Sequence, residues 1–70
     1  MPVVDSSMIR EIDYEDEGER LIVVFGTGRI YAYEPVPRSL YEALLQAPSK
    51  GGYFNAMIRG AFRTIPLRRR

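Results

Sequence analysis

The stretch Leu21-Ile22-Val23-Val24-Phe25, Gly26-Thr27-Gly28, Arg29-Ile30-Tyr31-Ala32-Tyr33 constrains the fold more than any other part of this chain. Two runs rich in β-branched and aromatic residues flank a short glycine-bearing segment, which reads as a hairpin. Loop length then decides which side chains share a face. With Gly26-Thr27-Gly28 as a three-residue loop and Gly28 in the left-handed region, Phe25 faces Arg29, Val23 faces Tyr31 and Leu21 faces Tyr33. Leu21, Val23, Phe25, Tyr31 and Tyr33 then share one side. A two-residue Thr27-Gly28 turn instead aligns Phe25 with Ile30, and the tyrosines leave that side. The longer loop is preferred, because it gathers the bulkiest residues where helices can cover them. It leaves an apolar strip, Ile22, Val24 and Ile30, on the opposite side.

The flanking segments extend this picture. Ile9, Ile12 and Tyr14 change phase between Ile9 and Ile12, which predicts a bulge in a first strand. Glu15-Asp16-Glu17-Gly18-Glu19 is a charged turn. Glu34-Pro35-Val36-Pro37 ends the third strand, and Pro37 suits the first position of a helix. Leu40, Tyr41, Leu44 and Leu45 recur at helical spacing until Ala47-Pro48 stops them. Ser49 is a candidate N-cap for a second helix, with Tyr53, Phe54, Met57 and Ile58 as its apolar stripe and Gly60 as its end signal. Residues 61–67 read as an extended tail with Phe62 packed down.

The fold class is therefore α+β, a three-stranded antiparallel meander followed by two short helices packed on one face. Residues 1–7 form a flexible lead-in, residues 8–67 a single domain, and residues 68–70 a basic tail. The expected core is Ile9, Ile12, Leu21, Val23, Phe25, Tyr31, Tyr33, Leu40, Leu44, Leu45, Phe54, Met57 and Ile58.

Composition narrows the function classes. Seventy residues make one small domain with a thin stability margin. The chain has no cysteine and no histidine. A disulfide framework and a thiolate metal site are thereby excluded, and the commonest general base and zinc ligand are missing. No base is present to activate a serine, and the acids from Asp13 to Glu19 lack the spacing of a paired acid and base. The expectation is a non-enzymatic protein with no cofactor and no metal. No apolar run approaches the roughly 18 residues of a membrane span. Met1-Pro2-Val3-Val4-Asp5 also lacks the basic flank and apolar centre of a signal peptide, so a cytoplasmic protein away from membranes is expected.

Net charge is only +1, yet it is unevenly spread. Residues 1–35 carry eight acids against three arginines, a net of −5, and residues 36–70 carry seven bases against one acid, a net of +6. Such polarity steers an anionic partner towards the carboxyl half. Ser49-Lys50-Gly51-Gly52 suits an anion seat, with free N–H groups at a helix start, glycines that permit close approach, and the Lys50 charge. The plainer reading is a sharp turn between helices, and the segment lacks the spacing of a nucleotide-triphosphate loop. Tyr31 and Tyr33 suit stacking on unpaired bases or, in the preferred register, a core position with each hydroxyl at the rim. Tyr53 and Asn55 suit base stacking and base-edge contact, while Arg59, Arg63, Arg68, Arg69 and Arg70 are the best footprint for a phosphate backbone. A purely solubilising role for these arginines is the plainer alternative.

Ser6, Ser7, Ile9, Tyr14, Phe25, Gly28, Tyr31, Tyr33, Val36, Pro37, Tyr41, Leu44, Ser49, Gly51, Tyr53, Phe54, Asn55 and Ile58 complete a pattern. In this order and spacing the chain resembles the KTSC domain, from Ser6 to Phe62. That domain is named for its occurrence at the carboxyl end of some lysyl-tRNA synthetases, and it also occurs as a free-standing small bacterial protein. Each motif alone is weak, and their shared order is specific. Two features depart from the family pattern. Ile22 and Val24 stand where many relatives carry polar residues, and Gly52 stands where a long polar residue is usual.

The resemblance implies no settled activity, and RNA binding enters by association with a tRNA synthetase. Two readings follow. One is a module that binds tRNA or single-stranded RNA through Lys50, Gly51, Gly52, Tyr53, Asn55, Arg59, Arg63, Arg68, Arg69 and Arg70. The alternative is a protein-interaction or self-association module, such as a homodimer, using Ile22, Val24 and Ile30.

Overall fold

In the computed structural model, which describes residues 9–68, the elements run β1 (Ile9–Glu15), β2 (Arg20–Phe25), β3 (Ile30–Glu34), α1 (Arg38–Gln46), α2 (Lys50–Met57) and β4 (Arg63–Leu67). The central hairpin closes with the longer loop. Gly28 has φ +96° and donates its N–H to the Phe25 carbonyl at 2.8 Å, while the Phe25 N–H donates to the Arg29 carbonyl at 2.9 Å. Leu21 accordingly pairs with Tyr33 and Val23 with Tyr31. The register of β1 against β2 shifts between Ile9 and Glu11. Arg10 is the extra residue, and Ile9, Ile12 and Tyr14 come to lie beside Phe25, Val23 and Leu21.

The sheet has four antiparallel strands in the order β1-β2-β3-β4, which corrects the three-stranded meander. Residues 63–67, read as an unpaired tail, lie alongside β3 with Tyr33 opposite Thr64, Ala32 opposite Ile65 and Tyr31 opposite Pro66. A bare β3 would present a row of unpaired N–H and carbonyl groups, and the returning segment satisfies them. Pro66 disguises this strand in the sequence. Proline is tolerated here because β4 is the outer strand of the sheet.

Between sheet and helices, Val36 acts as a clasp. Its N–H donates to the Glu19 carbonyl at 2.8 Å, and its carbonyl accepts the Tyr14 hydroxyl at 2.6 Å. The Tyr14 ring stacks on Tyr41 of α1, with centroids 4.7 Å apart. Pro37 is the N-cap of α1, one place earlier than expected, and its carbonyl accepts from Leu40 and Tyr41. Ser49 caps α2 as expected, its Oγ accepting the Gly52 N–H at 3.1 Å. Gly60, φ +78°, turns the chain after α2 towards β4.

The core comprises Leu21, Val23, Tyr33, Val36, Leu44, Phe54 and Ile58, with Ile9, Ile12, Tyr14, Phe25, Tyr31, Leu40, Tyr41, Tyr53 and Phe62 packed around it. Two expected core residues are not in it: Leu45 is 40% exposed and Met57 47%. Each follows or precedes a buried neighbour, Leu44 or Ile58, and one helical step turns a side chain by about 100°. Val36 and Ala32, both absent from the expected core, are fully buried. No helix of the described residues is long and apolar enough to cross a membrane. The lead-in at residues 1–7, with Ser6 and Ser7, and the tail residues Arg69 and Arg70 lie outside the described residues.

Candidate nucleic-acid interface

Between the tip of the hairpin and α2 runs an open groove of about 770 Å³. The hairpin register builds its floor, because Phe25, Tyr31 and Tyr33 all project to the side that α2 covers. Phe54 of α2 enters this group edge-on, its centroid 5.6 Å from that of Phe25 and 5.2 Å from that of Tyr33. Tyr31 meets Phe25 in the same manner at 5.8 Å. Such edge-to-face geometry suits the aromatic quadrupole and holds the rings at defined angles. Asn55 and Arg59, four residues apart on α2, form one wall, with the Arg59 guanidinium 3.5 Å from Asn55 Oδ1. Gly26, Thr27 and Arg29 form the other, and Thr64 of β4 closes one end.

The two tyrosines play different parts. Tyr33 is only 5% exposed, so neither face of its ring is open to a base. Its phenol is held above the ordinary tyrosine range chiefly by burial, then by the adjacent Tyr31, with the Arg59 charge opposing both. It is therefore a neutral hydroxyl at neutral pH. No buried side-chain polar atom lacks a partner among the described residues. Tyr31 is half-buried and is the ring with surface left to offer.

Charge pairing separates the bases into two sets. Among the described residues, Arg20 pairs with Glu15 at 4.0 Å and Glu34 at 3.2 Å, and Arg38 pairs with Asp16 and with Glu42 at 3.0 Å. Arg29 and Arg59 enter no ion pair among those residues, and both line the groove. Also among the described residues, no three acidic side chains converge as metal ligands.

The residues named from sequence divide accordingly. Asn55 and Arg59 lie in the groove. Tyr53 packs against the core, and Lys50 is half-buried at the start of α2. Gly51 is buried, and the Gly52 N–H is already taken by Ser49, so the glycine pair offers little to an anion. Arg63 belongs to the opposite side of the sheet, since the alternate residue Thr64 lines the groove and Arg63 pairs across with Glu34. Arg68 is exposed beyond β4. Ile22, Val24 and Ile30 lie together on the side away from the helices. Sequence reasoning did not name Arg29, Thr27 or Thr64 as site residues. The hairpin register carried the signal for Arg29, which sits opposite Phe25, whereas nothing local marks Thr64.

The family model of the KTSC domain matches residues 5–62. A lysine–tRNA ligase of Nostoc punctiforme is 41% identical over 59 residues, which is 84% of this chain and 10% of the ligase. The chain thus spans about a tenth of the length of that relative. An uncharacterized protein of Stutzerimonas stutzeri is 39% identical over 56 residues, covering 80% of this chain and 79% of that one. The crystal structure of a KTSC domain protein from Yersinia pestis superposes with a TM-score of 0.87 at 31% identity, covering 97% of this chain and 94% of the other.

Proposed function

We propose that this chain, which belongs to the KTSC domain family, is a small non-catalytic module that holds single-stranded RNA in the groove between its hairpin and α2. One juxtaposition carries this reading. A partly open aromatic floor lies between Arg29 and Arg59, two cations that no described carboxylate neutralises. An unpaired base stacks on the open part of Tyr31, while phosphates on either side meet the two guanidinium groups. Asn55 offers both a donor and an acceptor to a base edge. Tyr33, Thr27 and Thr64 line the same groove, and hydroxyls of this kind suit sugar oxygens. A duplex hides its bases from such a floor, so the strand must be unpaired.

The lining contains no carboxylate, imidazole or thiol, which favours binding over chemistry. Similarity to one stretch of a lysine–tRNA ligase adds an RNA context by association alone. Polarisation titration of labelled single-stranded RNA and tRNA at about 50 and about 200 mM salt tests the reading. Binding at the lower salt is expected, weakening with a log–log slope near about −1.4 for two phosphate contacts on a single strand. Absence of binding at the lower salt would remove the proposal.

A further inference from the structure

The sheet side turned away from the helices is ordered in cross-strand rows. Ala32 is fully buried at its centre, with Ile22 and Ile65 as its partners on the adjacent strands. Val24, Ile30 and Leu67 form a second apolar row. The strand β4 thus enlarges the Ile22, Val24, Ile30 strip into a broad patch. A third row closes one end. It reads Glu15, Arg20, Glu34, Arg63 across β1, β2, β3 and β4, alternating negative and positive. The Arg20 to Glu34 distance places the two inner members at 3.2 Å, and Arg20 to Glu15 is 4.0 Å. Two further acids, Glu11 and Asp13, flank the patch on β1.

We infer that this face joins two copies of the chain, sheet against sheet, about a two-fold axis parallel to the strands. Such an axis reverses the order of strands, so β1 of one copy lies over β4 of the other, and each row lies over its own counterpart. The charged row, read backwards, runs Arg63, Glu34, Arg20, Glu15. Every charge therefore meets its opposite, Glu15 over Arg63 and Arg20 over Glu34, each contact occurring twice. In the apolar rows Ile22 lies over Ala32, large on small, and Val24 over Ile30, while Asp13 and Glu11, at the edge of the face, lie over Ile65 and Leu67.

The alternative two-fold, perpendicular to the strands, lays β1 over β1. It sets Asp13 against Asp13 and Glu11 against Glu15, and drives Arg20, Glu34 and Arg63 onto Val24, Ile30 and Leu67, with the first two in mid-interface, which is costly. Charge complementarity thus selects the partner, a second copy, as well as the geometry. Aligned sheets pack about 10 Å apart with strands roughly 30° from parallel, which a twisted four-stranded sheet allows. Four strands at about 4.8 Å spacing and five residues at about 3.3 Å rise give a face of roughly 300 Å² per copy. Such an area belongs to weak, concentration-dependent association. The groove lies on the other side of each sheet, so both grooves of the dimer stay open.

Sedimentation analysis from about 10 µM to about 1 mM tests the inference, and a monomer–dimer equilibrium is expected. Glu15→Arg and Arg63→Glu each place like charges opposite one another twice, and each weakens the dimer by about tenfold or more. Mixing the two variants restores association as a heterodimer, because both clashes become pairs. Ile22→Lys abolishes dimerisation without touching the charged row. Circular dichroism confirms that each variant remains folded. A strict monomer at every concentration, or charge variants that weaken association without rescue on mixing, overturns the inference.

Discussion

The Phe54 ring meets the Tyr33 ring edge-on, with centroids 5.2 Å apart and planes at 75°. Through this contact α2 is seated on β3, and with it Asn55 and Arg59 are brought opposite the hairpin loop. A single buried aromatic residue therefore couples fold stability to the shape of the groove.

Replacing Phe54 should be costly in proportion to the space left behind. Phe54→Ala is expected to lose about 3–5 kcal/mol, close to all that a domain of this size possesses. Phe54→Leu keeps most of the volume and should remain folded, at a loss of about 1–1.5 kcal/mol. Urea denaturation followed by circular dichroism measures both. A Phe54→Ala protein as stable as the parent would refute the seating role.

Gly28 isolates a backbone effect. Its φ is +96°, and an added Cβ meets nothing within 4 Å. Gly28→Ala should then destabilise by about 1–2 kcal/mol through conformation alone, with no packing clash to add. The denaturant midpoint is expected to fall at an unchanged slope. Equal stability would mean that the loop adopts another turn.

Burial of the Tyr33 phenol sets an alkaline limit. Burial first, and Tyr31 second, raise its pKa in the folded chain, while Arg59 partly offsets them. The folded state thus binds the phenolic proton more tightly than the unfolded chain, whose tyrosines titrate near about 10. This contribution is complete below the unfolded value and is lost as pH rises through the higher folded one. Thermal melts should therefore show a decline setting in near about pH 10, and Tyr33→Phe should make it shallower. A decline unaltered by Tyr33→Phe would assign it to other groups.

Groove and open sheet face separate cleanly by mutation. Arg29→Glu and Arg59→Glu should each weaken RNA binding and lower the salt slope by about 0.7, and Tyr31→Ala should cost about 1–3 kcal/mol of stacking. Arg63→Glu, on the other side of the sheet, should leave affinity for RNA nearly unchanged. Polarisation titrations of the four variants provide the check. If Arg63→Glu proves the most damaging, RNA lies on the wrong side of this molecule for the groove reading.

The parts read correctly from sequence are those governed by near neighbours. Glycine at position 28 selects the loop, the loop sets the register, and period-two alternation then places Phe25, Tyr31 and Tyr33 on one face. The bulge after Ile9 and the Ser49 cap follow from equally local patterns. Family membership was legible for the same reason, as a fixed order of such residues.

Other features depended on distant pairing. Residues 63–67 become a strand only because β3 has an open edge, and a segment carrying Pro66 gives no local sign of that opportunity. That pairing alone puts Thr64 in the groove, turns Arg63 to the opposite side, and completes the alternating charge row with Glu15 at its far end. Leu45 and Met57 fit the helical stripe yet stand in water, since one step of rotation, decided by how each helix sits on the sheet, separates them from buried Leu44 and Ile58. Backbone preference and alternation act over a few residues and so are written in the chain. Which faces meet depends on contacts between segments far apart in it, and only the folded molecule decides them.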